Sequence, residues 1–176
     1  MSNKSPFPTL TTKRLLLRQL TTNDDQAIFK IRSNDIVYKY IAKETFKKIE
    51  EAHSFIIKIN KGISSKEHVF WAITLKETQD LIGTICLWNF SEDYLVAEVG
   101  YELHPDYHKQ GIMNEALSNV IEFGFNTLKL NTIEAFTHFE NEASKTLLIK
   151  HHFKLDKERK DEGFPNNSIF ILTNNT

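Results

Sequence analysis

Gly100-Tyr101-Glu102-Leu103-His104-Pro105-Asp106-Tyr107-His108-Lys109-Gln110-Gly111-Ile112-Met113-Asn114-Glu115-Ala116-Leu117 is the stretch on which the fold turns. It reads as a strand, a loop containing Gly111, and a helix that starts near Asn114. A glycine-containing turn at a helix N-terminus leaves several backbone N–H groups unpaired and pointing one way. With the positive end of the helix dipole, those donors suit a phosphate or pyrophosphate. A plain strand–turn–helix connection, in which Gly111 only relieves steric strain, stands beside that reading. A dinucleotide fold or a P-loop does not, because neither G-x-G-x-x-G nor Gly-Lys-Ser/Thr is present.

Working outward, apolar periodicity supplies the neighbours. Arg14 to Leu20 is apolar and branched enough for a strand, and residues 1–11 ahead of it read as a loosely ordered polar leader. Thr22-Asn23-Asp24 is a capping cluster, and Ala27, Ile28 and Ile31 give Asp25 to Arg32 a helical stripe. A second helix is expected from about Phe46 to Ile59, with Lys61-Gly62 ending it. His68 to Leu75 and Leu81 to Trp88 read as strands around a hairpin-like turn, and Tyr94 to Leu103 as a third. After the helix from Asn114 to Asn126 come a strand at Thr132 to Thr137 and a helix at Ala143 to Lys150. His152 to Leu155 and Ser168 to Thr173 close the chain as strands. Such an order makes one mixed α+β layer architecture, a single domain over residues 1–176.

Several of these segments carry a resemblance. His108-Lys109-Gln110-Gly111-Ile112-Met113 falls on the frame Gln/Arg-x-x-Gly-x-Gly/Ala of the acetyl-CoA loop in GNAT N-acetyltransferases. Ala97-Glu98-Val99-Gly100-Tyr101-Glu102-Leu103-His104-Pro105 is similar to the strand and loop entry of the ribosomal-protein N-terminal (RimJ/RimL-like) branch, and Asn114-Glu115-Ala116-Leu117 to the start of its long helix. Asn141-Glu142-Ala143-Ser144 resembles that branch's Asn-x-x-Ser, His152-Phe153 its Gly-Phe, and Leu10 to Arg18 its first strand. The resemblance implies a GNAT fold: about six to seven strands in a mixed twisted sheet, about four helices, and a splayed central strand pair holding acetyl-CoA. Three departures stand out. Met113 replaces Gly or Ala, His108 replaces Gln or Arg, and His152 replaces a glycine that ends the last helix, so that cap is expected to be built differently.

The same resemblance implies where acetyl-CoA would lie. The backbone of Leu103 and His104 would hold the pantetheine. The N–H groups of His108, Lys109, Gln110, Gly111, Ile112, Met113 and Asn114 would cradle the pyrophosphate, and Asn141 would approach the thiol end. The position where many family members carry a catalytic Tyr is Leu148, which cannot donate a proton; the resemblance to the ribosomal-protein branch implies instead the serine of Asn-x-x-Ser, Ser144 here, in the acid role. Against that stands an ordinary helix-start serine bonded to backbone. Amine acetylation also needs a base, and Glu98 and Glu102 share one strand face about 13 Å apart, too far to couple strongly. Each competes with an ordinary ion pair to a neighbouring strand; Glu162 is a remoter candidate.

The acceptor implied is a primary amine, either a ribosomal or other protein N-terminus or a small amine, attacked directly in a ternary complex. Its pocket is expected between the early helices, Lys61 to Lys66 and Lys157 to Asn167, with Trp71, Trp88 and Phe90 either lining it or in the core. A degenerate member that binds CoA as a sensor, or a non-catalytic interaction module, is the alternative. A near-balance of 22 Lys+Arg against 23 Asp+Glu gives no global attraction to nucleic acid or an anionic membrane. The single cysteine, Cys86, lies in an apolar run and reads as a buried structural thiol. With His151-His152 adjacent rather than spaced, no metal site is expected. No signal-peptide h-region is evident, so the expected location is cytoplasmic. Both monomers and homodimers fit the resemblance.

Overall fold

The computed structural model describes residues 6–174. Its strands are β1 (Leu10–Thr11), β2 (Leu15–Arg18), β3 (Val69–Leu75), β4 (Leu81–Trp88), β5 (Val96–Leu103), β6 (Thr132–His138), β7 (Lys154–Asp156) and β8 (Asn167–Thr173). The helices are α1 (Asp25–Arg32), α2 (Asp35–Tyr38), α3 (Ile49–Ser64), α4 (Ile112–Asn126) and α5 (Glu142–Lys150). All eight strands join one sheet in the order β1-β2-β3-β4-β5-β6-β8-β7. Every neighbouring pair is antiparallel except β5–β6, which is parallel.

That parallel seam positions everything else. β5 and β6 pair only at Val96↔Thr132, Ala97↔Ile133 and Glu98↔Glu134, yet β5 continues to Leu103 and β6 to His138. Past Glu98 the two strands part. On its other side β5 stays paired to β4 up to Gly83↔Leu103, and His104 N–H donates to Ile82 C=O at 2.9 Å. In an antiparallel ladder, alternate residues point their backbone groups away from the partner. Tyr101 and Leu103 therefore turn theirs into the cleft.

Two cores cover the sheet. α4 and α5 bury Ile112, Leu117, Val120 and Leu148 with Leu17, Trp71, Leu87 and Ile133 on one face. On the other, α1 and α3 bury Ile28, Ala52 and Ile56 against Leu20, Phe70 and Ala72. Those two helices lie over β3 and β4 and leave the β5–β6 cleft open. Burying a large aliphatic side chain contributes about 1.5–3 kcal/mol, so each core is the main support of its layer. Cys86 packs with the second core, and burial pushes its thiol up to about 12, which keeps it a structural thiol.

Differences from the expected elements have local causes. α2 arises because the Asn34 side chain accepts from Ile36 N–H at 2.9 Å and Val37 N–H at 3.4 Å, an N-cap on a one-turn helix. α3 runs past Lys61-Gly62 to Ser64: Gly62 packs under His68, where an added Cβ would lie 2.2 Å from the ring's Cε1. Its glycine serves close packing rather than termination. Residues 1–5 of the expected leader lie outside the described residues. From Phe7 on the leader is tied down: Phe7 meets Trp71 edge-on, Pro8 C=O accepts from Trp71 Nε1 at 2.7 Å, and Leu10–Thr11 pair with Leu17 and Leu16.

Candidate active site in a split sheet

Two cavities open from the cleft. One, about 730 Å³, runs between α2, the end of β5, and the starts of α4 and α5. The other, about 680 Å³, lies beyond the parting point, between residues 40–43, β6 and the 159–164 segment. They share Tyr40, Ile41, Tyr101, Asn141 and Ser144. At that junction the Tyr101 and Ser144 hydroxyls are hydrogen-bonded at 2.8 Å. Burial pushes the Tyr101 phenol up to about 12, so it keeps its proton throughout the physiological range.

Of the ten residues expected around acetyl-CoA, eight line the larger cavity: Leu103, His108, Lys109, Gly111, Ile112, Met113, Asn114 and Asn141. His104 and Gln110 do not. His104 Nδ1 accepts from Asp106 N–H at 3.3 Å, and the Gln110 side chain donates to Asp106 C=O at 2.7 Å, so both shape the loop from behind. His108 Nε2 donates to the Leu103 carbonyl at 2.9 Å. The backbone available in the cleft is thus that of Tyr101 with the N–H of Leu103, a shift from the expected Leu103–His104. Met113, in the first turn of α4, is buried in the core while forming part of the cavity wall.

α4 begins two residues earlier than expected because Gly111 is its N-cap, at φ 72° in the left-handed region. No side chain caps it, and the N–H groups of Ile112, Met113 and Asn114 have no intrahelical acceptor. Lys109 is also left-handed, at φ 59°. Behind the loop Arg14 acts as a brace: Nη1 donates to Gln110 C=O at 2.9 Å and Nε pairs with Glu115 at 2.7 Å. Asn114 Oδ1 is buried without a hydrogen-bond partner. These are features of a cradle that fits the diphosphate and amides of acetyl-CoA.

The expected catalytic residues separate. Ser144 sits at the junction; Asn141 accepts from its N–H at 3.2 Å as the N-cap of α5, while the Ser144 hydroxyl turns to Tyr101 rather than to backbone. Glu102 lines the larger cavity but is paired with Arg32 at 2.9 Å, and the Arg32 guanidinium lies 3.7 Å from the Phe55 ring centroid. Burial holds its carboxyl above the ordinary value against the opposing pull of Arg32. Glu98 lines the smaller cavity, with Asn89 Nδ2 at 3.5 Å its one hydrogen-bond partner among the described residues. Burial pushes it up to about 7, with the Asp161 and Glu134 charges adding to the rise. Leu148 is fully buried in the core.

Other expectations shift as well. Lys61 to Lys66 does not line the smaller cavity; Tyr40 to Lys43 does, with Arg159 to Glu162 and Asn167 from the expected later segment. Trp88 lines it and is 44% exposed, whereas Trp71 is fully buried and Phe90 packs on the core. Tyr101 is the residue that sequence reasoning passed over. Its signal was its position: an odd-numbered strand residue three beyond Glu98, where the strands part. Among the described residues no cluster of metal-ligating side chains occurs, and no helix is long and apolar enough to cross a membrane.

Comparisons with known proteins bear on the family and the fold. The Acetyltransferase (GNAT) domain family matches over residues 14–154. The uncharacterized N-acetyltransferase YoaA of Bacillus subtilis strain 168 is 39% identical over 148 residues, covering 84% of each chain. Among solved structures, a putative ribosomal-protein-serine acetyltransferase from Vibrio cholerae aligns with TM-score 0.80 at 24% identity, over 96% of this chain and 99% of that one. The ribosomal-protein-S5-alanine acetyltransferase of Vibrio fischeri aligns with TM-score 0.82 at 20% identity, over 96% and 97%.

Proposed function

Since the chain belongs to the GNAT acetyltransferase family, we propose that the split in its sheet is a two-sided active site, entered by acetyl-CoA from one cavity and by an amine from the other. The enzyme is an acetyltransferase with acetyl-CoA as co-substrate, which supplies an activated acetyl group as a thioester. The observation that carries the two-sided reading is the Tyr101–Ser144 hydroxyl pair, which stands where the two cavities meet.

On the acetyl-CoA side, the first-turn N–H groups of α4 and Lys109 receive negative charge, and the Arg14 brace holds the loop in shape. Tyr101 and Leu103 offer backbone groups in the manner of an unpaired strand edge. On the amine side, an incoming ammonium must lose a proton before it attacks. Glu98, raised to about 7, is poised to take a proton near neutral pH, whereas Glu102 is tied to Arg32. Three strand residues separate Glu98 from Tyr101 by about 10 Å along the backbone and point their side chains to opposite faces of β5, so the proton reaches Glu98 through water in the gap between the strands. The hydroxyl pair faces the departing sulfur. A thiol of pKa about 8.5 is far more acidic than a phenol at about 12, so full proton transfer from Tyr101 is unfavourable. The pair serves as a hydrogen-bond donor that stabilises developing charge.

The acceptor we favour is a protein N-terminus, with a small amine the other reading. Motif similarity to the RimJ/RimL-like branch and the ribosomal-protein acetyltransferases among the structural neighbours support it. So does an open cavity carrying both charge signs and two exposed rings, Trp88 and Phe164. Initial-rate kinetics with acetyl-CoA and a panel of N-terminal peptides and small amines test it. Intersecting rate patterns are expected; parallel lines, the sign of an acetylated enzyme, would rule out direct attack. Tyr101→Phe and Ser144→Ala are expected to lower kcat by about 10²-fold while leaving the KM for acetyl-CoA nearly unchanged. An unaltered kcat in both would remove the hydroxyl pair from the chemistry.

A further inference from the structure

At the last rung before the strands part, Glu98 of β5 lies directly beside Glu134 of β6. Paired residues of a parallel ladder send their side chains to the same face, so two carboxylates stand side by side at the head of the cleft. Like charges at such spacing do not both ionise freely. Arg159 breaks the symmetry: both its Nη atoms donate to Glu134, Nη2 to Oε2 at 3.1 Å. The strap that carries it is built for this. Asp156 Oδ1 accepts from the N–H groups of Glu158 at 2.9 Å and Arg159 at 3.1 Å, forming the turn that aims Arg159 inward. Asn167 Nδ2 donates to Asp161 at 2.8 Å and pins the far end. Among the described residues Glu98 has no ion-pair partner of its own.

We propose that Arg159 is a positioning residue: by engaging Glu134 it reserves Glu98 as the one proton-accepting carboxylate of the amine-side cavity. The remaining groups around Glu98 do not substitute for it. Lys43, from the segment after α2, bears on Glu98 and Glu102 alike. From the strap, Asp161 adds its negative charge to that of Glu134 at Glu98. Lys160 and Glu162 line the same cavity with no ion pair to either glutamate among the described residues; Asn89 and Asn167 are neutral, and His138 stacks on Tyr40. Among the described residues Arg159 is the one cation that forms an ion pair at this rung, and it does so with Glu134 alone.

The inference rests on the base role proposed for Glu98, but its test needs neither acetyl-CoA nor an amine. Carboxyl resonances of the glutamate-labelled protein are followed by NMR across pH, with Glu98→Gln identifying the relevant one. In Arg159→Met the Glu98 midpoint is expected to rise by about one pH unit, and in Arg159→Met/Glu134→Gln to return to the wild-type value. Glu134→Gln alone, which frees Arg159 to turn to Glu98, is expected to lower it and supplies the answer if Arg159→Met fails to fold. A midpoint unmoved in either single variant, or displaced equally in Arg159→Met and the double variant, overturns the proposal. A midpoint that moves as expected while the acidic limb of the pH–rate profile stays fixed supports the role of Arg159 and retires Glu98 as the base.

Discussion

His152 ends α5 at φ 66°, a left-handed conformation usually given to glycine. Its N–H donates to Ile149 C=O at 2.9 Å and that of Phe153 to Leu148 C=O at 3.1 Å, while Phe153 and Leu148 meet in the core. This is the Schellman arrangement, so the expected rebuilding of the cap does not occur; the chain keeps the geometry and bears the strain. A left-handed non-glycine residue costs about 1–2 kcal/mol, and glycine gives back about 0.5–1 through the entropy of the unfolded chain. His152→Gly should therefore stabilise the protein by about 0.5–1 kcal/mol, or roughly 2 °C in Tm by calorimetry for a domain of this size. A lower Tm would contradict this account. Single residues were the least legible part of the sequence for the same reason. The choice of Ser144 for Tyr101 over backbone, and of Glu102 for Arg32, depends on side chains brought together from distant segments.

Elements were more legible, because hydrophobic period and capping are local. β4 over Leu81–Trp88 and α1 over Asp25–Arg32 fall where apolar spacing puts them. α2 was missed, since four residues are too few to show a period, and the end of α3 was misplaced because Gly62 answers to His68 rather than to the helix. At the loop before α4 the glycine could be read from sequence, but the Arg14 brace could not. An added Cβ at Gly111 meets only Arg14 Nη2, at an ordinary 3.5 Å, so bulk there is not blocked by the core. Gly111→Trp should remain folded, with a modest loss from left-handed strain, yet lose thermal stabilisation by millimolar CoA. Wild type, at 100 times the dissociation constant, should gain about 2.7 kcal/mol. A variant that still gains stability from CoA would displace the cofactor from this loop.

At the scale of the whole molecule, the order of elements was read from hydrophobic period and the splay came from the resemblance; the face that stays open came only from seeing α1 and α3 pack on β3 and β4, with Arg32 reaching across to Glu102 of β5. That opening leaves an acidic group half-buried beside other carboxylates, with a consequence for stability. The Glu98 carboxyl is raised from 4.5 to about 7 on folding. Its contribution to stability is fully present below the unfolded value and is lost as pH rises through about 7. Glu98→Gln should therefore gain on wild type in urea midpoint between about pH 5 and about pH 8, and equal displacement at both would refute the assignment. The parting of β5 from β6 has a further, mechanical meaning. Three rungs join the two halves of the sheet, and the cleft behaves as a crack entering from one edge. Load placed anywhere along a crack concentrates at its tip, and here the tip is the rung of Glu98 and Glu134. Whatever wedges the strands apart, from either cavity, thus bears first on the rung that carries Glu98, the proposed base, and its neighbour Glu134.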